Sequence, residues 1–280
     1  MSGTLYLVAT PIGNLADISE RALQTLRDVD LIACEDTRHT KKLLNHYGIN
    51  TRTVSYHEHN ERERAEDLGQ LLKDGKNVAV VSDAGAPTIN DPGFRVVKTA
   101  IERGIKVVSI PGSCAFVSAL IVSGLPTDEI YFGGFLPSKS NARRAKFMSV
   151  KMIQATLIFY ESPHRLLESL RDAHEVLGER EVVVARELTK LHEEISRGLL
   201  SRLLKEFSEK EIRGEVVLLI DRTEITVEGK EKEKSVSELV SELEGEGLDS
   251  RTALKRAARE LSLSRSEAYR RLQSEKSQFD

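Results

Sequence analysis

At 280 residues, with 40% hydrophobic and 30% charged side chains, the chain has the balance of a soluble globular protein with room for two compact domains and a small appendage. No apolar run approaches the length needed to span a bilayer, and Met1-Ser2-Gly3-Thr4 offers no basic n-region of a signal peptide. The formal net charge is −3, and Cys34 and Cys114 stand far apart with no CxxC or Cys/His cluster, which argues against a zinc site or a disulfide framework and favours a reducing, cytoplasmic setting.

Taken in chain order, the first 115 residues alternate short apolar runs with helical spacing. Leu5 to Ala9 reads as a strand, Ile18 to Leu26 as a helix, Leu31 to Ala33 as a strand, and Lys41 to His46 as a helix. Thr53 to Tyr56, a polar helix over Glu61 to Leu72, Val78 to Val81, a helix from Phe94 to Glu102, and Val107 to Ile110 follow. Continuous apolar runs separated by helices predict strands buried on both faces of a parallel sheet, with a ligand outside their carboxyl ends. A second α/β unit begins after Pro126: strands at Tyr131 to Leu136, Leu157 to Tyr160, Val182 to Ala185 and Val216 to Ile220, with helices over Asn141 to Met152 and from Glu161-Ser162-Pro163-His164-Arg165 to Leu177. The closer spacing of these strands predicts a mixed sheet. Met148 and Met152, at helical spacing, read as core.

Residues 224–234 are polar and charge-alternating, as in an exposed linker. Beyond them come three short helical segments, with Ser264 and Glu267 in a capping-box pattern. From Ser250 to Lys276 eight basic residues face three acidic ones, so this stretch carries +5 and the remainder of the chain −8. The predicted organisation is an α/β domain over 1–122, a second over 123–223, the linker, and a basic helix-turn-helix-like domain over 235–280.

The strand ends carry the unusual chemistry: Thr10-Pro11-Ile12-Gly13-Asn14, Glu35-Asp36-Thr37-Arg38, Ser82-Asp83-Ala84-Gly85-Ala86-Pro87 and Pro111-Gly112-Ser113-Cys114-Ala115. Small residues and prolines let the backbone turn sharply and let a ligand approach the main chain. Repeated after successive apolar strands, such loops predict a binding cleft. There is no GxGxxG after the first strand, and no GxxxxGK[ST], GxSxG or HExxH, so dinucleotide, P-loop, serine-hydrolase and zinc-protease sites are disfavoured.

Together with Gly134-Phe135-Leu136-Pro137, Glu161-Ser162-Pro163-His164-Arg165 and Arg186-Glu187-Leu188-Thr189-Lys190, these loops occur in an order that resembles the ribosomal RNA small-subunit methyltransferase I family of tetrapyrrole-methylase-like, class III methyltransferases. The resemblance spans essentially the whole chain. It implies two α/β domains with S-adenosylmethionine in the cleft between them, a homodimer, no metal, and 2′-O-methylation of a cytidine in the decoding region of small-subunit ribosomal RNA, naked or within the assembled subunit. A tetrapyrrole C-methyltransferase of the same superfamily is the alternative, and a cofactor-free DNA-binding regulator leaves most of the chain unexplained.

By this resemblance Thr10 and Pro11 close one wall of the cofactor pocket, Asp83, Ala84, Gly85 and Ala86 meet the cofactor by main chain, and Gly112, Ser113, Cys114 and Ala115 offer a helix N-terminus. Tyr160 and Glu187 form the opposite wall. Ala86 stands where the family carries threonine, and Cys114 where it more often carries serine. A ribose hydroxyl is a poor nucleophile, so a proton acceptor is needed; Glu35, Asp36, Glu161, His164 and Glu187 are the candidates. Arg38, Arg143, Arg144, Arg165, Lys190, Arg256 and Arg270 are candidates for RNA phosphates. Against these stand plainer readings: Glu35-Asp36-Thr37-Arg38 as a helix cap with Arg38 in an ion pair, His164 as a solvent-facing residue, and Lys139, Arg143, Arg144 and Lys146 as a solvated face.

Overall fold

The computed structural model describes residues 2–222, 236–245, 247–261 and 263–276. The expected linker at 224–234 lies outside the described residues. Two compact units are present, residues 1–223 and 224–280.

In the first unit, β1 (Thr4–Val8), β2 (Leu31–Cys34), β3 (Thr53–Ser55), β4 (Val78–Val81) and β5 (Lys106–Ile110) form a sheet of order β3-β2-β4-β1-β5. All its pairings are parallel. The apolar runs read in the sequence supply both faces. Leu5, Val78 and Val80 pack on one side with Leu68, Leu72 and Val96 of the intervening helices, and Val8, Ile32, Ala79 and Val81 on the other with Ala22, Leu26 and Leu44. Helices α1 (Glu20–Asp28), α2 (Thr37–His46), α3 (Glu61–Lys73) and α4 (Phe94–Glu102) connect these strands. Ser19 starts α1 by accepting from the Ala22 amide at 3.2 Å, and Asp36 starts α2 by accepting from the Arg38 amide at 2.8 Å.

After α5 (Ala115–Ser123), the second sheet contains β6 (Ile130–Phe135), β7 (Thr156–Glu161), β8 (Glu181–Arg186), β9 (Glu194–Leu199) and β10 (Val216–Ile220), in the order β6-β7-β10-β8-β9. Only the β6–β7 pair is parallel, and the sheet is mixed as expected. In β7, β8 and β10 successive side chains face opposite sides. Leu157, Phe159, Val182, Val184, Val216 and Leu218 face α6 (Ser140–Val150), α7 (Leu166–Leu177) and α8 (Leu200–Ser208). Ile158, Val183, Ala185, Val217 and Leu219 face the opposite way, onto Ile12 and onto Ala119 and Leu120 of α5. The expected boundary at 122/123 therefore falls at the end of a helix whose buried side packs on the second sheet. The segment 194–208, for which no element was expected, supplies the edge strand β9 and the helix α8.

Two expectations about α6 are corrected. Met148 and Met152 are 59% and 75% exposed, so they are surface residues. Arg143, expected to meet RNA, is fully buried, donates from Nε to Asp172 at 2.7 Å and is ion-paired with it through Nη2 at 2.6 Å. Helix α6 places Phe147 and Val150 in the core, and a four-residue step back from Phe147 turns Arg143 inward rather than to solvent.

The second unit consists of α9 (Val236–Gly245), α10 (Ser250–Glu260) and α11 (Arg265–Lys276) around its own core of Leu239, Val240, Leu243, Ala253, Ala257 and Leu272. Asp249 caps α10, and the Ser264 hydroxyl accepts from the Glu267 amide at 3.2 Å, as its spacing predicts. Among the described residues no helix is long and apolar enough to cross a membrane.

Candidate active site

The loops after β1 and β4 are joined. Thr10 and Gly85 exchange main-chain hydrogen bonds of 2.9 and 3.0 Å as an isolated antiparallel bridge, and the Thr10 hydroxyl donates to the Ser82 carbonyl at 3.2 Å. Gly85 holds φ = 80°, a left-handed conformation that favours glycine. Behind it, a Cβ on Gly112 would meet the Cβ of Ala9 at 3.0 Å. Small residues here are needed for close packing of one loop on the next.

Between the two sheets lies a cavity of about 420 Å³. One wall is the turn Asp83-Ala84-Gly85-Ala86 with Ile12; another is the start of α5, at Cys114 and Ala115. Cys114 is the N-cap of α5 and makes no side-chain capping bond to the backbone, which leaves first-turn amides to be satisfied otherwise. The second sheet contributes Phe135, Tyr160, Ala185 and Val217, and the loop before β10 contributes Gly214 and Glu215. Burial, with Cys114 nearby, pushes the Tyr160 hydroxyl up to about 12.

Of the expected cofactor residues, Asp83, Ala84, Gly85, Ala86, Cys114, Ala115 and Tyr160 line this cavity; Thr10, Pro11, Gly112, Ser113 and Glu187 do not. Thr10 and Pro11 are buried behind the wall. Glu187 sits at φ = 51°, accepts from the Glu215 amide at 2.9 Å and pairs with Lys190 at 2.9 Å. It thereby fixes the loop that carries Gly214 and Glu215, and these partners hold its carboxyl below the usual range.

The proton-acceptor candidates separate on inspection. Glu161 lines the cavity but is fully engaged: Arg165 pairs with it at 2.7 Å, its own neighbour's amide at Ser162 donates at 2.6 Å, and the Ser169 hydroxyl donates to its other oxygen. Asp36 is held by Arg38 at 2.8 Å and caps α2, so its carboxyl lies far below its ordinary value, and the plainer reading of this pair is the observed one. His164 is exposed on the turn before α7. Glu35 is half-buried; burial, with Asp83 and Asp91 nearby, raises its carboxyl.

Asp91 was not among the candidates. It lines the cavity, half-buried, and its carboxyl is raised by burial and by the charge of Asp83 against a hydrogen bond from Ser82. It lies at the end of a strained segment in which Thr88 and Asn90 take φ of 75° and 63°. The sequence signal was present as Asn90-Asp91-Pro92-Gly93, which reads only as a turn until the fold places it.

Among the arginines and lysines proposed for RNA, Arg144 is spent partly on Asp172 and Glu175, each at 2.7 Å, and Lys190 on Glu187 and Glu215. Arg38 is exposed while paired with Asp36, and Arg256 and Arg270 stand exposed on α10 and α11.

Residues 4–204 match the family described as Tetrapyrrole (Corrin/Porphyrin) Methylases, so fold and cleft define a methyltransferase of that class. Its fold resembles that of uroporphyrin-III-C-methyltransferase from Thermus thermophilus, at TM-score 0.57 and 18% identity over 78% of this chain and 94% of that one. The chain is 54% identical to "Ribosomal RNA small subunit methyltransferase I" of Escherichia coli O157:H7, over 78% of each sequence. To the protein of that name from Bacillus subtilis (strain 168) it is 44% identical, over 95% of this chain and 93% of the other. The chain belongs to the ribosomal RNA small subunit methyltransferase I family.

The methyl donor of this family is S-adenosylmethionine, and the residues present fit it. The cavity falls in the range of small-ligand pockets, about 300–1,000 Å³. The carboxylate at Asp83 suits a cation, the first turn of α5 suits a carboxylate, and Ile12, Leu188 and Val217 offer apolar surface. Replacing Asp83 by Ala, or Gly85 by Val, is therefore expected to weaken S-adenosylmethionine binding with circular dichroism intact. Calorimetric titration checks this, and unchanged affinity in both variants would remove the loop from the cofactor site.

Proposed function

We propose that the protein transfers a methyl group from S-adenosylmethionine to the ribose 2′-hydroxyl of a cytidine in the decoding region of small-subunit ribosomal RNA, as a cytoplasmic homodimer. The carrying observation is the cleft, in which a small-residue turn, a helix N-terminus and the Asp83 and Asp91 carboxylates line one cavity. The substrate follows the relatives: those named for ribosomal RNA share 44–54% identity, whereas the tetrapyrrole enzymes share 15–18% and lend the fold alone. A dimer is favoured by apolar side chains left exposed on α4 and α5, namely Phe94, Ile101, Val117 and Ile121.

When bound, the cofactor supplies a methyl carbon activated by its sulfonium. The protein supplies placement: the Asp83–Ala86 main chain and the start of α5 hold the donor, and the apolar wall excludes water. Much of the acceleration comes from fixing the attacking oxygen in line with the methyl carbon. Asp91, which lines the cavity and whose carboxyl is raised by burial and by the charge of Asp83, accepts the hydroxyl proton in its ionised form.

The test offers tritiated cofactor to naked ribosomal RNA, free small subunits, assembled ribosomes and a porphyrinogen. Label is expected in small-subunit RNA, recovered after digestion as 2′-O-methylcytidine. Label confined to the porphyrinogen would overturn the assignment.

A further inference from the structure

The three-helix unit carries a feature its fold does not need. Tyr269 follows Ala268 on α11; Ala268 is fully buried in the local core, whereas Tyr269 is 54% exposed. It is the single large hydrophobic side chain exposed among the described residues of this unit. Its hydroxyl accepts from Gln273 at 3.3 Å, one turn along the same helix, so it is tethered locally with its ring outside the core.

The ring lies in an open groove between α10 and α11. The groove is lined by Ser250, Arg251, Ser266, Tyr269 and Arg270 over an apolar floor of Leu254 and Leu272. Two guanidinium groups and two hydroxyls thus surround one aromatic ring, and among the described residues no carboxylate lines the groove. Glu267 lies nearby and pairs with Arg270 at 2.8 Å, yet Arg270 remains 75% exposed on its side chain. Arg251 is exposed at the first turn of α10. The stretch from Ser250 to Lys276 is basic in a chain that is otherwise acidic.

We propose that this groove docks unpaired RNA, with a base stacked on Tyr269 and neighbouring phosphates held by Arg251 and Arg270; the choice of RNA rests on the methylation reading above. An exposed ring flanked by cations offers nothing to a duplex, whose base faces are already stacked. It suits a single strand, where any base presents a π-face and the backbone follows the positive charge. The groove and the methyl-transfer cavity share no lining residue, so the groove adds affinity for substrate without supplying a group to the chemistry.

The test uses the full chain and a short, unstructured, fluorescently labelled oligoribonucleotide, with anisotropy read at several salt concentrations. Tyr269→Ala is expected to weaken binding by roughly tenfold, and Tyr269→Phe to retain it. Arg251→Ala and Arg270→Ala are each expected to flatten the slope of log affinity against log salt by about 0.7. Thermal midpoints of all variants, read in parallel, guard against a folding effect; should Tyr269→Ala unfold the unit, Tyr269→Leu keeps the bulk and lacks the stacking face. Wild-type affinity in both the Ala and Leu variants overturns the proposal, as does equal competition by duplex RNA. Methyl transfer to small subunits is measured alongside. A wild-type chain that labels no ribosomal RNA defeats the methylation reading, whereas normal labelling with unchanged binding in the Tyr269 variants defeats the groove alone.

Discussion

Asp91→Asn is expected to slow single-turnover methyl transfer by about 10²-fold or more, the scale of a lost general base, with little change in cofactor affinity. The same substitution should not weaken the fold. Burial and the charge of Asp83 raise the Asp91 carboxyl in the folded protein, so its ionised form is disfavoured by folding. A raised carboxyl contributes stability that is fully present below its unfolded pKa, near 3.8, and is lost as pH rises through the folded value. Above the folded value that contribution is gone, and Asn, which cannot ionise, avoids the cost of burying the charge. The thermal midpoint of Asp91→Asn should therefore equal or exceed that of the wild type at neutral pH, with the gap closing in acid. A variant that is slower and less stable at neutral pH would mean that Asp91 holds the loop together rather than serving the reaction. The wild-type rate should rise with pH through the raised pKa, and that limb should vanish in the variant.

The second large effect is on stability. Asp172→Ala is expected to cost about 3–5 kcal/mol, the range for stripping a partner from a buried ion pair, read as a fall in urea midpoint. Asp172 is almost enclosed and receives Arg143, Arg144 and the Ser140 hydroxyl at 2.9 Å; its loss leaves the fully buried Arg143 guanidinium without its carboxylate. Replacing the pair together, as Arg143→Met with Asp172→Leu, should cost far less, because no uncompensated charge remains. The pH dependence has the opposite sign to that of Asp91. Burial alone would raise the Asp172 carboxyl, but bonds from Arg144, Ser140 and Arg143 outweigh it and the net shift is downward. Its contribution is present above the unfolded pKa near 3.8 and is lost as pH falls through the folded value. If the single and double variants lose equal stability, the pair contributes only packing volume.

Much of this architecture was legible because buried strands announce themselves. Val78 to Val81 and Val216 to Ile220 are uninterrupted apolar runs, and the small-residue loops follow such runs directly. The strand β9 was not legible: Glu194-Ile195-Ser196-Arg197-Gly198-Leu199 sits at a sheet edge, where charge and glycine protect an open ladder and erase the apolar signature. The α6 helix misled in the other direction. Its arginines read as surface and its methionines as core, and only the packing of Phe147 and Val150 decides that Arg143 points inward and Met148 outward. Within the site, main-chain contributors at strand ends could be read from Gly and Ala, whereas Asp91 depends on left-handed backbone at Thr88 and Asn90 that no local preference of threonine foretells. Glu161 and Glu187 show the converse, since a carboxylate in the right loop can be wholly occupied by its neighbours.

The paired amides of Thr10 and Gly85 have a mechanical consequence. Two loops that leave adjacent strands are closed by reciprocal bonds of 2.9 and 3.0 Å, with the Thr10 hydroxyl adding a third tie to Ser82. Neither loop can swing away alone without forfeiting both bonds, so this wall of the cavity is coupled as one plate rather than left as two independent flaps. Ile89 and Asn90, which line the same cavity, belong instead to a stretch whose left-handed backbone at Thr88 and Asn90 is costly to hold.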